Sequence, residues 1–153
     1  MFSFFKRNDK NIEPINFDSL VCDMHSHLIP GIDDGSPDLE TSVQIIKNLQ
    51  SIGIKKFITT PHIMHDFYRN TPDIIMGGLK DLQNELKKQS VDVEISAAAE
   101  YYIDYDFEAK VDYGDKFLTI GNNQMLIETS FLSAPPNFGD IIFKLQLAGY
   151  KLI

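Results

Sequence analysis

From residue 20 to residue 153, short apolar runs alternate with segments of helical period, and this alternation constrains the fold more than any other feature of the chain. Residues 20–24 are an apolar run carrying one Asp, which reads as a buried strand. A loop with Pro30, Gly31, Asp33, Asp34, Gly35, Ser36 and Pro37 follows. Ser36 is then placed to cap a helix with Pro37 in its first position and acids in its first turn. Val43, Ile46, Leu49 and Ile52 recur at helical spacing, and Gly53 closes that segment. Residues 56–60 form a second strand. Thr71-Pro72-Asp73 caps a second helix running to about residue 90. Its Gly77-Gly78 pair is a weak spot, because glycine costs about 1 kcal/mol per helical position. A strand over 93–98, a short helix over 105–110 and a strand over 124–128 come next. Pro135-Pro136 precedes a helix over 138–148, Gly149 ends it, and 151–153 begin one more strand. The spacing therefore predicts an α/β chain of right-handed βαβ units around parallel strands, in an open sheet or a barrel. In both arrangements ligands gather at the carboxyl ends of the strands.

Residues 1–19 show no period and read as a flexible N-terminal arm. With 153 residues, the chain can build one core but not comfortably two. Its 14 Lys+Arg against 22 Asp+Glu give a formal net charge of −8, which argues against a nucleic-acid binder. No apolar run reaches the length of a membrane span. The opening residues place their apolar side chains before their charges, the reverse of a secretory signal. Cys22 is the one cysteine, so no intrachain disulfide forms, and a reducing cytoplasm is the expected location.

The residues that carry chemistry fall where such a fold would use them. His25 and His27 lie two apart at the end of the first strand, a spacing that sends both side chains the same way. Asp23 shares that face and could orient one imidazole. An isolated His-x-His would read more simply as two exposed loop histidines. Here, however, His62 follows the second strand, Glu100 the third, and Glu128 ends the fourth. Four successive strand ends deliver His, His, Glu and Glu, and three of the four histidines belong to this set. In the loop after His-x-His, Asp33 reads as a turn residue before Gly35, and Asp34 as both a turn residue and a ligand. His65, Asp66, Tyr68 and Arg69 either line a substrate entrance or form a solvated loop.

Mixed His and carboxylate donors without cysteine suit Zn²⁺, Mn²⁺ or Fe. Carboxylates able to bridge suggest more than one ion, hence hydrolysis at phosphorus or at a carbonyl. The chain has no nucleophile elbow, no P-loop, and no Cys-x₅-Arg loop after Cys22, so cysteine-dependent phosphatase chemistry finds no support.

On these residues the sequence resembles the PHP-family metal-dependent phosphatases. It is most similar to the bacterial tyrosine-protein phosphatases of capsular and exopolysaccharide synthesis. The likeness rests on the run from Asp23 through His25, His27, Pro30 and Gly31 to Asp33-Asp34-Gly35, on Thr59-Thr60-Pro61-His62, on Ala98-Ala99-Glu100-Tyr101-Tyr102 and on Leu126-Ile127-Glu128. It covers the chain from about residue 20 onward. The first run is the specific one, since His-x-His alone occurs throughout amidohydrolases and PHP proteins.

The resemblance implies the first part of a distorted (β/α)₇ barrel with up to three divalent ions, commonly manganese. His25, His27 and Glu100 would bind one ion, Glu100 and Glu128 a second, and Asp34 and His62 a third. A metal-bound hydroxide would attack phosphotyrosine in line, and the tyrosinate leaving group needs little protonation. The implied partner is the tyrosine-rich tail of a bacterial tyrosine kinase that controls polysaccharide polymerisation. Relatives of this kind carry a further histidine motif with a nearby arginine, and a later Asp-x-His, which residues 151–153 would lead into. The reading therefore places 20–153 as a PHP phosphatase domain truncated on its C-terminal side, poorly active alone and inclined to self-associate. Two alternatives stay open: a small-molecule PHP phosphatase such as histidinol-phosphatase, and a metal-binding fragment without turnover.

Overall fold

In the computed structural model, which describes residue 17 and residues 19–153, every pairing between strands is parallel. The elements run β1 (Cys22–Ser26), α1 (Leu39–Ser51), β2 (Lys56–Thr59), β3 (His62–Ile63), α2 (Pro72–Lys88), β4 (Glu94–Ala97), β5 (Glu100–Tyr102), α3 (Tyr105–Tyr113), β6 (Gln124–Glu128), α4 (Phe138–Leu147) and β7 (Lys151–Leu152). They form two sheets, one ordered β1-β2-β4 and the other β3-β5-β6-β7. The α/β reading with parallel strands and helices is what the structure has. The N-terminal arm expected over 1–19 lies outside the described residues except for Phe17 and Ser19. The Phe17 N–H donates to the Ile52 carbonyl.

Two of the strands expected from sequence are in fact four. The second run breaks at Thr60-Pro61 and resumes as β3, and the third breaks at Ala98-Ala99 and resumes as β5. Thr60, Pro61, Ala98 and Ala99 are all buried at these breaks. Each break carries the chain from the first sheet to the second, so His62 and Glu100 each follow one strand and begin the next. The first strand also sits two residues later than expected. Val21 takes a φ of +59°, off the extended path, and Leu20 lies in a turn back to the Phe17 carbonyl.

The helices start where local acceptors permit. Asp38, not Ser36, caps α1, its carboxylate accepting from the Thr41 N–H at 2.7 Å. Ser36 is buried instead, donating to the Asp38 carbonyl and accepting from the Ser42 hydroxyl. Thr71 caps α2 as expected, with Pro72 in its first turn. Val43 and Ile46 of α1, together with Ile75, Leu79, Leu82 and Leu86 of α2, repeat at helical spacing and bury against Leu28, Ile29, Phe57 and Ile95. A second packing centre joins Tyr101, Phe107, Phe117 and Tyr150 in edge and tilted contacts.

The two glycines of α2 are not equivalent. A Cβ on Gly78 would lie 2.2 Å from Ile29 Cγ2, so the helix approaches the loop after β1 as closely as glycine permits. A Cβ on Gly77 meets nothing within 4 Å. Gly77→Ala should therefore stabilise the protein by up to about 1 kcal/mol through helix propensity. Gly78→Ala should cost about 1–3 kcal/mol by overpacking a core side chain. Urea denaturation of the two variants, moving their midpoints in opposite directions, checks the assignment. That loop begins at His27, so the helix also fixes the site.

Candidate metal centre

The register of the second sheet assembles the centre. His62 pairs directly with Glu100, and Glu100 with Leu126, two residues before Glu128. Parallel partners side by side project to one face, as do positions two apart, so His62, Glu100 and Glu128 share a face. The first sheet contributes His25 from β1 and His27 just after it.

Glu100 is the hub. It is buried, and its Oε2 lies 3.1 Å from His27 Nε2 and 3.3 Å from His62 Nδ1, while Oε1 lies 3.9 Å from His25 Nε2. Asp34 Oδ1 stands 3.5 Å from His27 Nδ1 and 3.6 Å from His62 Nε2, and Glu128 Oε2 stands 3.6 Å from His62 Nδ1. The six side chains singled out from the sequence thus converge. Among the described residues they make three groups whose donor atoms lie within 4.8 Å of one another: His25, His27 and Glu100; His27, Asp34 and His62; His62, Glu100 and Glu128.

These donors fit a divalent cation better than they fit each other. His62 Nδ1 is buried and makes no hydrogen bond, although two carboxylates face it at 3.3 and 3.6 Å. A buried polar nitrogen without a partner is costly, and a cation between it and the carboxylates satisfies both. Imidazole nitrogen and carboxylate oxygen are the donor set of Zn²⁺, Mn²⁺ and Fe.

The electrostatics follow from the same packing. Burial disfavours a charged His27, but its hydrogen bonds to Asp33 and Glu100 outweigh burial and raise its pKa to about 10. Burial likewise pushes the Glu100 carboxyl upward, while the His27 hydrogen bond and the neighbouring imidazoles bring it below the ordinary glutamate value. Without a cation, a protonated His27 therefore offsets part of the carboxylate charge around it. To bind an ion through Nε2, His27 must release that proton.

Several supporting residues escaped the sequence reading. Asp33 does make the expected turn, its Oδ1 accepting from the Gly35 N–H at 3.0 Å. Its Oδ2 also lies 3.0 Å from the His27 ring Nδ1 and accepts from the His62 backbone N–H. The Thr60 hydroxyl meets His25 Nδ1 at 2.7 Å, and the Thr59 hydroxyl joins the Ser26 carbonyl to the Leu28 N–H. The Asn70 amide donates to the carbonyls of Ile32 and His62. Asp23, expected to orient an imidazole, accepts instead from the His25 backbone N–H. The parallel register slips between Asp23 and Ser26, which breaks the regular alternation that expectation assumed.

The loop after His62 divides. Tyr68 stacks on His62 with ring centroids 5.5 Å apart and planes 9° from parallel, so it belongs to the centre. Burial first, then the charges of Asp34 and Asp33, raise the pKa of its phenol, which stays protonated. His65 turns toward α3, its N–H donating to Asp104 and its ring packing edge-on against Tyr105. The Arg69 side chain bonds the His65 carbonyl at the exposed side of that loop.

Residues 21–153 match the family described as capsular polysaccharide synthesis, CpsB/CapC. The tyrosine-protein phosphatase YwqE of Bacillus subtilis strain 168 is 27% identical over 130 residues, 85% of this chain and 51% of that protein. The tyrosine-protein phosphatase CpsB of Streptococcus agalactiae is 27% identical over 91 residues, 60% of this chain and 37% of that protein. A solved structure is described with "YwqE from Bacillus subtilis and CpsB from Streptococcus pneumoniae, unique metal-dependent tyrosine phosphatases". It superposes with a TM-score of 0.75 at 26% identity, covering 86% of this chain and 53% of the other. The chain spans about half the length of YwqE and less of CpsB.

Proposed function

Because the chain belongs to the CpsB/CapC family of capsular polysaccharide synthesis proteins, we propose that it is the metal-binding part of a protein-tyrosine phosphatase that hydrolyses phosphotyrosine on proteins. One observation carries this reading: the buried carboxylate of Glu100 is shared by three imidazoles, one of which keeps an unpartnered nitrogen turned toward it. In this reading His25, His27 and Glu100 hold one cation, Glu100 and Glu128 a second, and Asp34 and His62 a third. Bound Mn²⁺, or Zn²⁺ or Fe in its place, supplies water activation and neutralises charge on the phosphoryl oxygens.

The chain's own groups do the positioning. Buried Glu100 keeps the histidine donors of both sheets at one point, so the phosphoryl group is met by a preset constellation. Tyr68, lying flat on His62, offers an aromatic surface beside the centre for the phenyl ring of phosphotyrosine. Arg69 and His65 border the same loop and extend the contact toward the peptide. Tyrosinate is a good leaving group, so no strong general acid is required of this chain.

On the fold, we place residues 20–153 as the first part of a distorted (β/α)₇ PHP barrel, supported by seven parallel strands in two adjoining sheets. The substrate is the phosphorylated tail of a bacterial tyrosine kinase, reached in the cytoplasm. The free thiol of Cys22 is consistent with that compartment, and no helix among the described residues is long and apolar enough to cross a membrane.

The test is release of phosphate by the purified protein with Mn²⁺, offered a phosphotyrosine peptide or histidinol phosphate. Faster release from the peptide is expected. Release from histidinol phosphate alone would make this a small-molecule phosphatase. Metal binding without release from either would leave a metal-binding fragment.

A further inference from the structure

The two adjacent aspartates of the loop after β1 face different surroundings. Asp34 is largely exposed, its side chain 60% accessible, whereas the Asp33 side chain is fully buried. Asp33 Oδ2 lies 3.0 Å from His27 Nδ1 and accepts from the His62 N–H at 3.0 Å, and its Oδ1 accepts from the Gly35 N–H at 3.0 Å. One side chain thus ties a ring supplied by the first sheet to the backbone of the first residue of β3.

His27 has two ways to serve the centre. Through Nε2 it joins His25 and Glu100, and through Nδ1 it would join Asp34 and His62. We propose that Asp33 is a positioning residue that decides between them, holding the proton on His27 Nδ1 and so reserving Nε2 for the cation shared with His25 and Glu100. An ionised carboxylate accepts hydrogen bonds and donates none, so the nitrogen facing Asp33 keeps its proton when Nε2, which faces Glu100, gives up its own for a cation. Asp33 already occupies Nδ1 at 3.0 Å, and Asp34 at 3.5 Å is beyond good hydrogen-bond geometry. His25 is arranged in parallel: its Nδ1 meets the buried Thr60 hydroxyl, and its Nε2 faces Glu100. Carboxylates behind ligating histidines fix the tautomer and raise donor strength in this way. The inference rests on the metal-dependent reading above.

Long-range ¹H–¹⁵N spectra of the ¹⁵N-histidine-labelled protein test it, with diamagnetic Zn²⁺ as the probe. With Zn²⁺, His27 should show a protonated Nδ1 and a coordinated Nε2. Asp33→Ala should weaken Zn²⁺ binding on the order of 10–100-fold, with His27 no longer held in one tautomer. Asp33→Asn, which keeps the shape and one acceptor, should fall between the two. Coordination through Nδ1 in the unsubstituted protein overturns the inference alone, and so does an Asp33→Ala protein with unchanged tautomer and affinity. An unsubstituted protein that binds no Zn²⁺ overturns the metal-dependent reading, and this inference with it. If Asp33→Ala does not fold, the tautomer of the unsubstituted protein and the Asp33→Asn titration decide.

Discussion

Glu100→Gln should remove most of the thermal stabilisation that Mn²⁺ gives this protein. A ligand that binds only the folded state stabilises it by about 2.7 kcal/mol at a hundred times its dissociation constant. For a domain of this size each kcal/mol moves the melting temperature by roughly 2–4 °C. The unsubstituted protein should therefore gain on the order of 5–10 °C under such conditions. Glutamine keeps the volume of glutamate but carries no charge, and it turns an N–H₂ toward a site built from nitrogen donors. Because Glu100 faces His25, His27 and His62 at once, the substitution removes a donor from two of the three groups. The metal-free variant also loses one of the two carboxylates closest to His27, so its own melting point should fall as well. The informative quantity is the Mn²⁺-dependent shift, by calorimetry, in each protein. A Glu100→Gln protein that gains as much from Mn²⁺ as the unsubstituted one would remove Glu100 from the centre.

The features legible in the sequence were those written as local periods. The short apolar runs, the 3.6 repeats and the Pro and Gly punctuation gave the order of helices and of the strand regions, and β6 has the bounds that its residues suggest. Because every strand is parallel, the strand-end rule also gathered His25, His27, Asp34, His62, Glu100 and Glu128 at one place. What stayed hidden depends on pairs distant in the chain. Asp33 to the His62 backbone spans 29 residues, Thr60 to His25 spans 35, and Asn70 to Ile32 spans 38. No spacing rule reports such contacts, and Asp-Asp-Gly reads as a turn whether or not its first carboxylate faces inward. The breaks at Thr60-Pro61 and Ala98-Ala99 were hidden for a related reason. Thr60-Pro61 and Ala98-Ala99 bring no change of helical or strand period, so periodicity alone cannot show that the chain changes sheets.

Gly35→Ala should impair the centre more than its size suggests. A Cβ at Gly35 would lie 2.3 Å from His27 Cβ, 2.4 Å from the His27 carbonyl oxygen and 3.0 Å from Asp33 Oδ1. The first of these atoms is bonded directly to the backbone and the second belongs to it, so no rotamer change relieves the contact. The loop must move, but it is held on both sides. The Ser36 N–H donates to the His27 carbonyl and the Ser36 carbonyl accepts from Gly31. The Ser42 hydroxyl, from inside α1, holds the Ser36 side chain. Displacement is therefore passed to Asp33 and Asp34, which loosens the grip on the His27 ring and withdraws a donor from the group of His27, Asp34 and His62. Overpacking should cost about 1–3 kcal/mol of stability, and Mn²⁺ affinity should fall on the order of tenfold or more, since metal supports of this kind are worth 10–100-fold. Gly139→Ala is the control, because a Cβ there meets nothing within 4 Å. Titration calorimetry with Mn²⁺ on both variants separates the site from the fold. If Gly35→Ala binds Mn²⁺ as tightly as Gly139→Ala, the close approach of this turn to His27 does not set the ligand geometry.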